Sequence, residues 1–273
     1  MKRIVILVNG TRPGAAEIAG AAAKILRQKG LESLRIIEDR GGAQAIWREE
    51  GAHCDAVIAV GGDGTILSAA RMALLYGTPV LGINAGRLGF LAGLERDELH
   101  WLPGLLTGDY TVEHRMLLDV CVWRGDEKLC EIQCVNDAVL SRRNMPRLAE
   151  IPVECDGHVL TYLGDGVIFS TPTGSTAYCF SAGGPVADPR MEAILLTPLC
   201  NHKLFDRTIL FSAGARFSVS VAQEGVVLCC DGESMELLPG QTVAVCRAKQ
   251  TTQLIRMKQR HFLETLNEKL INR

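Results

Sequence analysis

Five consecutive apolar residues, Ala56-Val57-Ile58-Ala59-Val60, run without a polar break into Gly61-Gly62-Asp63-Gly64-Thr65 and then into a helix-forming stretch from Ile66 to Leu75. A strand with no apolar/polar alternation is covered on both faces, as in a parallel sheet between two helix layers. The same rhythm surrounds it. Ile4–Val8, Ser33–Glu38 and Pro79–Ile83 read as strands, Pro13–Lys29 as an alanine-rich helix and Gln44–Glu50 as a short one. The expected N-terminal domain is therefore α/β with a Rossmann-like parallel sheet, whose ligands gather at the turns leaving the carboxyl ends of the strands.

Beyond Leu94 the strands lengthen and hairpin signals appear. Met116–Trp123 and Lys128–Val135 flank Arg124-Gly125-Asp126-Glu127, and Ile151–Cys155 and Val159–Leu163 flank Asp156-Gly157. Further strands are expected at Thr208–Phe211, Arg216–Val221, Gly225–Cys230 and Thr242–Val245, giving a β-rich C-terminal domain. Phe262, Leu263, Leu266 and Leu270 fall at helical spacing, so His261–Leu270 is expected to form a helix that packs on one of the domains.

Composition narrows the partners. With 273 residues, 47% of them hydrophobic, the chain can bury a sizeable core without disulfide staples. Its 29 basic and 31 acidic residues give a net charge of −2, so no broad basic face is available and no nucleic-acid partner is expected. The apolar run after Met1-Lys2-Arg3 is cut at Asn9-Gly10, short of a secretory h-region. No run approaches the ~20 residues of a membrane span. A cytoplasmic location and no membrane partner are expected. Ten cysteines contain no Cys-x-x-Cys pair and read as inert buried thiols; a zinc site on Cys130, Cys134 and a distant His has little support in the spacing, so no metal-ligating residue is assigned.

Four segments carry chemistry. Gly61, Gly62 and Gly64, between strand and helix, let the backbone approach a ligand and take up positive φ, while the helix N-terminus offers free N–H groups: a phosphate cradle, with Thr65 closing it. No Gly-Lys-Ser/Thr follows, so it is not a Walker loop. Asp63 is either the N-cap of the next helix or a carboxylate that accepts a sugar hydroxyl proton, a role in which a loose phosphoryl-transfer transition state asks mainly for orientation. The second glycine loop, from Gly82 to Leu91, carries Asn84, Gly86 and a candidate phosphate contact in Arg87; with the first it suggests one crevice. Asn136-Asp137 is either a simple turn or a donor–acceptor pair suited to a nucleoside. In the run from Asp165 to Tyr178 a strand enters a turn crowded with hydroxyls and a proline, then a small-residue helix ending at Ser181, Gly183 and Gly184. Its backbone N–H and hydroxyl groups suit a base and a ribose.

Together these motifs, in order and separation, resemble the NAD kinase family from Gly61 to about Asp231. The resemblance implies transfer of a phosphoryl group from ATP, or inorganic polyphosphate, to the adenosine ribose 2′-hydroxyl of NAD, giving NADP. It makes Asp63 the catalytic carboxylate and places Gly61, Gly62, Gly64, Thr65, Asn84 and Gly86 in the loops around it. Asn136 and Asp137 would hold the adenosine portion, and Asp165, Thr173, Thr176, Ala177, Tyr178 and Ser181 would line the adenine and ribose pocket. A divalent ion, usually Mg²⁺, would accompany the donor phosphates. The family pattern further implies an α/β domain over residues 1–95 with 255–273 returning to it, a β-rich NAD-binding domain over 96–254, and a homodimer or homotetramer with sites near subunit contacts. Three positions depart from common bacterial patterns: Leu163 replaces a frequent arginine, Asn201 a frequent proline and Glu233 a frequent glutamine. A lipid kinase of the diacylglycerol or sphingosine type shares the first pentapeptide but does not account for Thr171–Tyr178; a non-catalytic NAD(P)-binding regulator is the other alternative.

Overall fold

The computed structural model describes residues 1–39, 47, 53–86, 89–143, 148–202 and 205–271, the side chains of 39, 270 and 271 excepted. The expected helix Gln44–Glu50, apart from Trp47, and the loop residue Arg87 lie outside the described residues. The chain divides into two compact units, 1–114 with 252–273, and 115–251.

In the first unit β1 (Arg3–Asn9), α1 (Ala15–Gln28), β2 (Ser33–Asp39), β3 (Ala56–Gly61), α2 (Asp63–Ala73) and β4 (Val80–Asn84) follow one another. The strands are parallel in the order β2-β1-β3-β4, and Leu254 from the later chain pairs in parallel with Val80. All residues of β3 and β4 are buried, as their unbroken apolar sequences require. The alanine face of α1 (Ala15, Ala19, Ala22, Ala23) packs with Ile4, Ile6, Val8 and Ile58 on one side of the sheet. Ile66, Ala69 and Met72 of α2 pack with Val5, Leu7, Val57 and Ala59 on the other. The crossovers from β1 and β3 thus leave in opposite directions, and the switch point lies between the carboxyl ends Asn9 and Gly61.

Two helix starts differ from expectation for local reasons. The helix expected from Pro13 starts at Ala15, because Thr11 donates its backbone and hydroxyl hydrogens to Asn9 Oδ1 (3.0 and 2.7 Å) and holds a turn that Gly14, at φ 80°, closes. The helix expected from Ile66 starts three residues earlier, at Asp63, with the Gly62 carbonyl accepting from the N–H groups of Thr65 and Ile66.

The second unit is antiparallel. Its strands are β5 (Thr111–Arg124, from Arg115), β6 (Glu127–Cys134), β7 (Asp137–Arg142), β8 (Ala149–Cys155), β9 (His158–Gly164), β10 (Gly166–Ser170), β11 (Ala193–Leu199), β12 (Ile209–Ser212), β13 (Arg216–Ser220), β14 (Val226–Cys230), β15 (Glu233–Leu237) and β16 (Gln241–Arg256, to Thr251). One sheet runs β12-β11-β10-β7-β14-β15; the other contains β16-β13-β8-β9, with β5 joined to β16 and β6. Leu140, Val167, Phe169 and Ile194 from the first share a core with Val120, Phe217, Val219 and Val243 from the second. Both expected hairpins close where Arg124 pairs with Glu127 and Cys155 with His158. The strand expected at Thr242–Val245 is 16 residues long, and β11 and β15 arise where no strand was expected. The helix expected after Thr171 is instead a 3₁₀ turn, Gly174–Thr176, and a single α turn, Tyr178–Ser181.

The final segment forms α-helix Phe262–Leu266, capped by His261 and Glu264, which continues as a π-helical turn over Asn267–Ile271. Its expected packing through leucines does not hold at Leu263, which is 57% exposed.

Candidate active site

Both glycine loops grow from the carboxyl edge of the first unit's sheet and are joined at their roots, where Ala85 N–H donates to the Gly61 carbonyl at 2.9 Å. Across the switch point Asn9 Nδ2 donates to Thr65 Oγ1 at 3.1 Å. None of Gly61, Gly62 and Gly64 has the positive φ expected of them. The constraint is closeness instead. A Cβ on Gly61 would overlap the Thr65 side chain, whereas a Cβ on Gly62 or Gly64 would meet nothing within 4 Å among the described residues beyond its own chain neighbours and helix backbone.

Asp63 is the first residue of α2 and not its cap: Gly62 stands at the N-cap and the Asp63 side chain makes no capping bond. The carboxylate instead joins the second loop. Oδ2 accepts from Phe90 N–H at 2.9 Å, Oδ1 from Leu91 N–H at 3.1 Å, and Lys269 Nζ donates to Oδ2 at 3.1 Å. A Cβ on Gly89 would overlap Oδ1, so glycine there leaves the carboxylate its place. The ammonium of Lys269 also lies 3.8 Å from the centre of the Phe90 ring.

Asn84 behaves differently. It is buried, its amide donates to Glu95 Oε2 at 2.7 Å and Gly86 O at 3.3 Å, and its Oδ1 accepts from Gly86 N–H at 3.1 Å. These bonds shape the loop, and burial pushes the Glu95 carboxyl above its usual range. Gly86 lies against the Arg12 guanidinium, which a Cβ would overlap.

In the second unit Asp231 organises the Asn136-Asp137 turn. Its carboxylate accepts from three consecutive backbone N–H groups, Val135 (2.7 Å), Asn136 (2.8 Å) and Asp137 (3.1 Å). The Asn136 carbonyl receives Thr171 N–H at 2.9 Å and Ser170 Oγ at 3.2 Å, which docks the hydroxyl-rich turn against this corner. A Cβ on Gly174 would overlap that carbonyl. Burial, aided by the negative Asp231, pushes the Asp137 carboxyl up to about 7.

The hydroxyls divide into two sets. Thr171 Oγ1 donates to Val135 O at 2.6 Å and Ser175 Oγ to Pro172 O at 2.7 Å, so both are fully internal. Thr173 Oγ1 accepts from Arg115 at 3.4 Å, and Thr176 Oγ1 donates to Thr173 O at 3.3 Å. Tyr178 and Ser181 are exposed on the short α turn that Ala177 caps. Asp165 pairs with Arg142 Nε at 2.7 Å. Asn201, at the position of the frequent proline, accepts from Leu163 N–H at 3.1 Å and donates to Phe205 O at 2.7 Å. Of the cysteines only Cys134, Cys179 and Cys230 are buried; Cys200 is exposed, and the other six are partly so.

Sequence reading missed Asp231 and Lys269. The first stood in an Asp-Gly-Glu hairpin turn whose partner at the start of β7 could not be read; the second bore no local signal at all.

Two family descriptions match the chain: the ATP-NAD kinase N-terminal domain over residues 4–110 and the ATP-NAD kinase C-terminal domain over 135–257. The chain belongs to the NAD kinase family. Among NAD kinases, that of Natranaerobius thermophilus is 36% identical over 285 residues, covering 99% of this chain and 98% of its own. The NAD kinase of Geobacter sulfurreducens is 38% identical over 279 residues, again covering 99% and 98%. NAD kinase folds match in the solved structures too. Yeast NADH kinase complexed with NADH superposes at a TM-score of 0.87 with 24% identity, over 100% of this chain and 88% of its own. An NAD kinase from Archaeoglobus fulgidus in complex with ATP gives 0.74 with 20% identity, over 98% and 99%.

Proposed function

We propose that the protein transfers a phosphoryl group from ATP, or inorganic polyphosphate, to the adenosine ribose 2′-hydroxyl of NAD, producing NADP. The observation that carries this reading is the Asp63 carboxylate, fixed by two backbone N–H groups beside a glycine loop with open backbone at Gly62 and Gly64. The bond from the ribose oxygen to the γ-phosphorus forms as the bond to the β-phosphate oxygen breaks, and the hydroxyl proton passes to Asp63. Because such a transition state is loose, orientation of the hydroxyl is the main demand on the carboxylate. The first helical N–H groups of α2 and the open faces of Gly62 and Gly64 suit donor phosphates. In the second unit Asn136, Asp137 and Asp165, with Thr173, Thr176, Ala177, Tyr178 and Ser181, are assigned to the adenosine portion of NAD. Asn84 and Gly86 support the loop beside Asp63.

A divalent ion such as Mg²⁺ belongs to this reading. Among the described residues no three or more His, Cys, Asp or Glu side chains converge on one point, while Asp63 keeps 36% of its side chain exposed. Such a donor set fits an ion carried by substrate phosphates and water with one carboxylate at most. Bound there, it would neutralise charge on the phosphate oxygens. A cytoplasmic homodimer or homotetramer completes the proposal; light scattering behind a sizing column tests the assembly. No helix among the described residues is long and apolar enough to cross a membrane. The family match favours neither a lipid kinase nor a non-catalytic regulator.

The deciding assay mixes purified protein, Mg²⁺, NAD and either ATP or polyphosphate with an NADP-specific dehydrogenase. Coupled reduction is expected with at least one donor, and Asp63→Asn should lower turnover by about 10²- to 10⁴-fold while NAD still binds. No NADP from either donor would sink the proposal.

A further inference from the structure

The Asp63 carboxylate has three donors, and one comes from the far end of the chain: Lys269, 206 residues away. Its side chain is only 12% exposed, in the π-helical turn Asn267–Ile271. The contacts of the ammonium include Oδ2 of Asp63 at 3.1 Å and the face of Phe90 at 3.8 Å. A nearly enclosed ammonium needs partners of this kind, and a charge-assisted bond to a carboxylate is stronger and more directional than a neutral one.

The two carboxylate oxygens are consequently unequal. Oδ2 receives both Phe90 N–H and Lys269, whereas Oδ1, among the described residues, receives Leu91 N–H and lies against Gly89, where a Cβ would overlap it. We infer that Lys269 is a positioning residue: it occupies Oδ2 and turns Oδ1 toward the hydroxyl that Asp63 accepts from. This rests on the role proposed above for Asp63. Lys269 takes no proton and contacts no reacting atom; it fixes which oxygen acts.

The test is a double-substitution cycle in the NADP-forming assay at saturating ATP and NAD. Lys269→Met is expected to lower kcat by about 10- to 100-fold, the effect of removing one charged hydrogen bond, with KM for both substrates changed less than about threefold. Lys269→Arg should restore part of kcat. In the Asp63→Asn background Lys269→Met should cost less than about twofold, because a positioning residue has nothing left to position. Thermal melts accompany each variant, and Lys269→Gln, similar in length but uncharged, replaces Lys269→Met if the latter does not fold. Unchanged kcat, equal losses in both backgrounds, or a raised KM for ATP at constant kcat would each overturn the inference, as would faster turnover, which marks a latch. An unsubstituted chain that makes no NADP overturns the proposed function itself, and with it this role.

Discussion

Asp231 and Asp137 hold each other by two backbone-linked bonds: Asp231 Oδ1 accepts from Asp137 N–H at 3.1 Å, and Asp231 N–H donates to the Asp137 carbonyl at 3.0 Å. Asp231 can do this because it sits at φ 48° in the two-residue turn between β14 and β15, beside Gly232 at φ 90°. The turn aims its carboxylate at the amides of Val135, Asn136 and Asp137, where β7 begins, while leaving two negative groups close together, one of them buried.

Replacing the collector tests its structural weight. Asp231→Ala removes acceptors from three backbone N–H groups and should destabilise the fold by about 2–4 kcal/mol; Asp231→Asn keeps one acceptor oxygen and should cost about half as much. Urea unfolding of the two variants checks the order. Equal stability of Asp231→Ala and the unsubstituted chain would contradict it.

The raised Asp137 carboxyl makes stability depend on pH. Unfolded, the group titrates near 3.8; folded, near 7, chiefly through burial and then through Asp231. Between those values the folded state binds the extra proton, so stability falls as pH rises and the penalty is complete above about 7. Its size is at most about 4 kcal/mol. Asp137→Asn cannot lose a proton and should gain on the unsubstituted chain between about pH 5 and 8. A constant difference across that range would show that the carboxyl is not raised.

Two glycine-to-alanine changes should separate packing from ligand approach. At Gly89 a Cβ overlaps Asp63 Oδ1, so Gly89→Ala should lower kcat by roughly tenfold or more. At Gly64 there is open space inside α2, so Gly64→Ala should leave the fold as stable or up to about 1 kcal/mol more stable. If phosphates approach that backbone, the same change raises KM for the donor. Melting curves and donor titrations read both effects.

Asn201 ties Leu163 N–H to the Phe205 carbonyl, and Asn201→Ala should cost about 1–2 kcal/mol by losing both bonds. A fall of a few degrees in the melting midpoint is the expected reading.

What could be read from the sequence was local and periodic. The unbroken apolar run of β3, its glycine turn and the alanine face of α1 dictate a doubly covered parallel sheet whichever way the rest of the chain folds. Asp63 stood out because it alone carries charge in that turn, yet whether it capped its helix depended on Phe90 and Leu91, 27 and 28 residues on. Strand β11 escaped because Ala193–Leu199 is buried throughout and contains Pro198, a pattern shared by a buried helix segment. Asp231 acts across 94 residues and Lys269 across 206, separations at which no pattern in the chain announces a partner.

The split of the first unit between residues 1–114 and 252–273 carries a consequence in time. As the ribosome releases the chain, strands β1 to β4 emerge early, but the residue that pairs with Val80 is Leu254 and the cation on Asp63 is Lys269. Residues 115–251 are synthesised before the last segment of the first unit, so that unit receives its final parts only after the second has been released. A nascent chain stalled short of residue 269 would have built its glycine loops and still lack the lysine beside them.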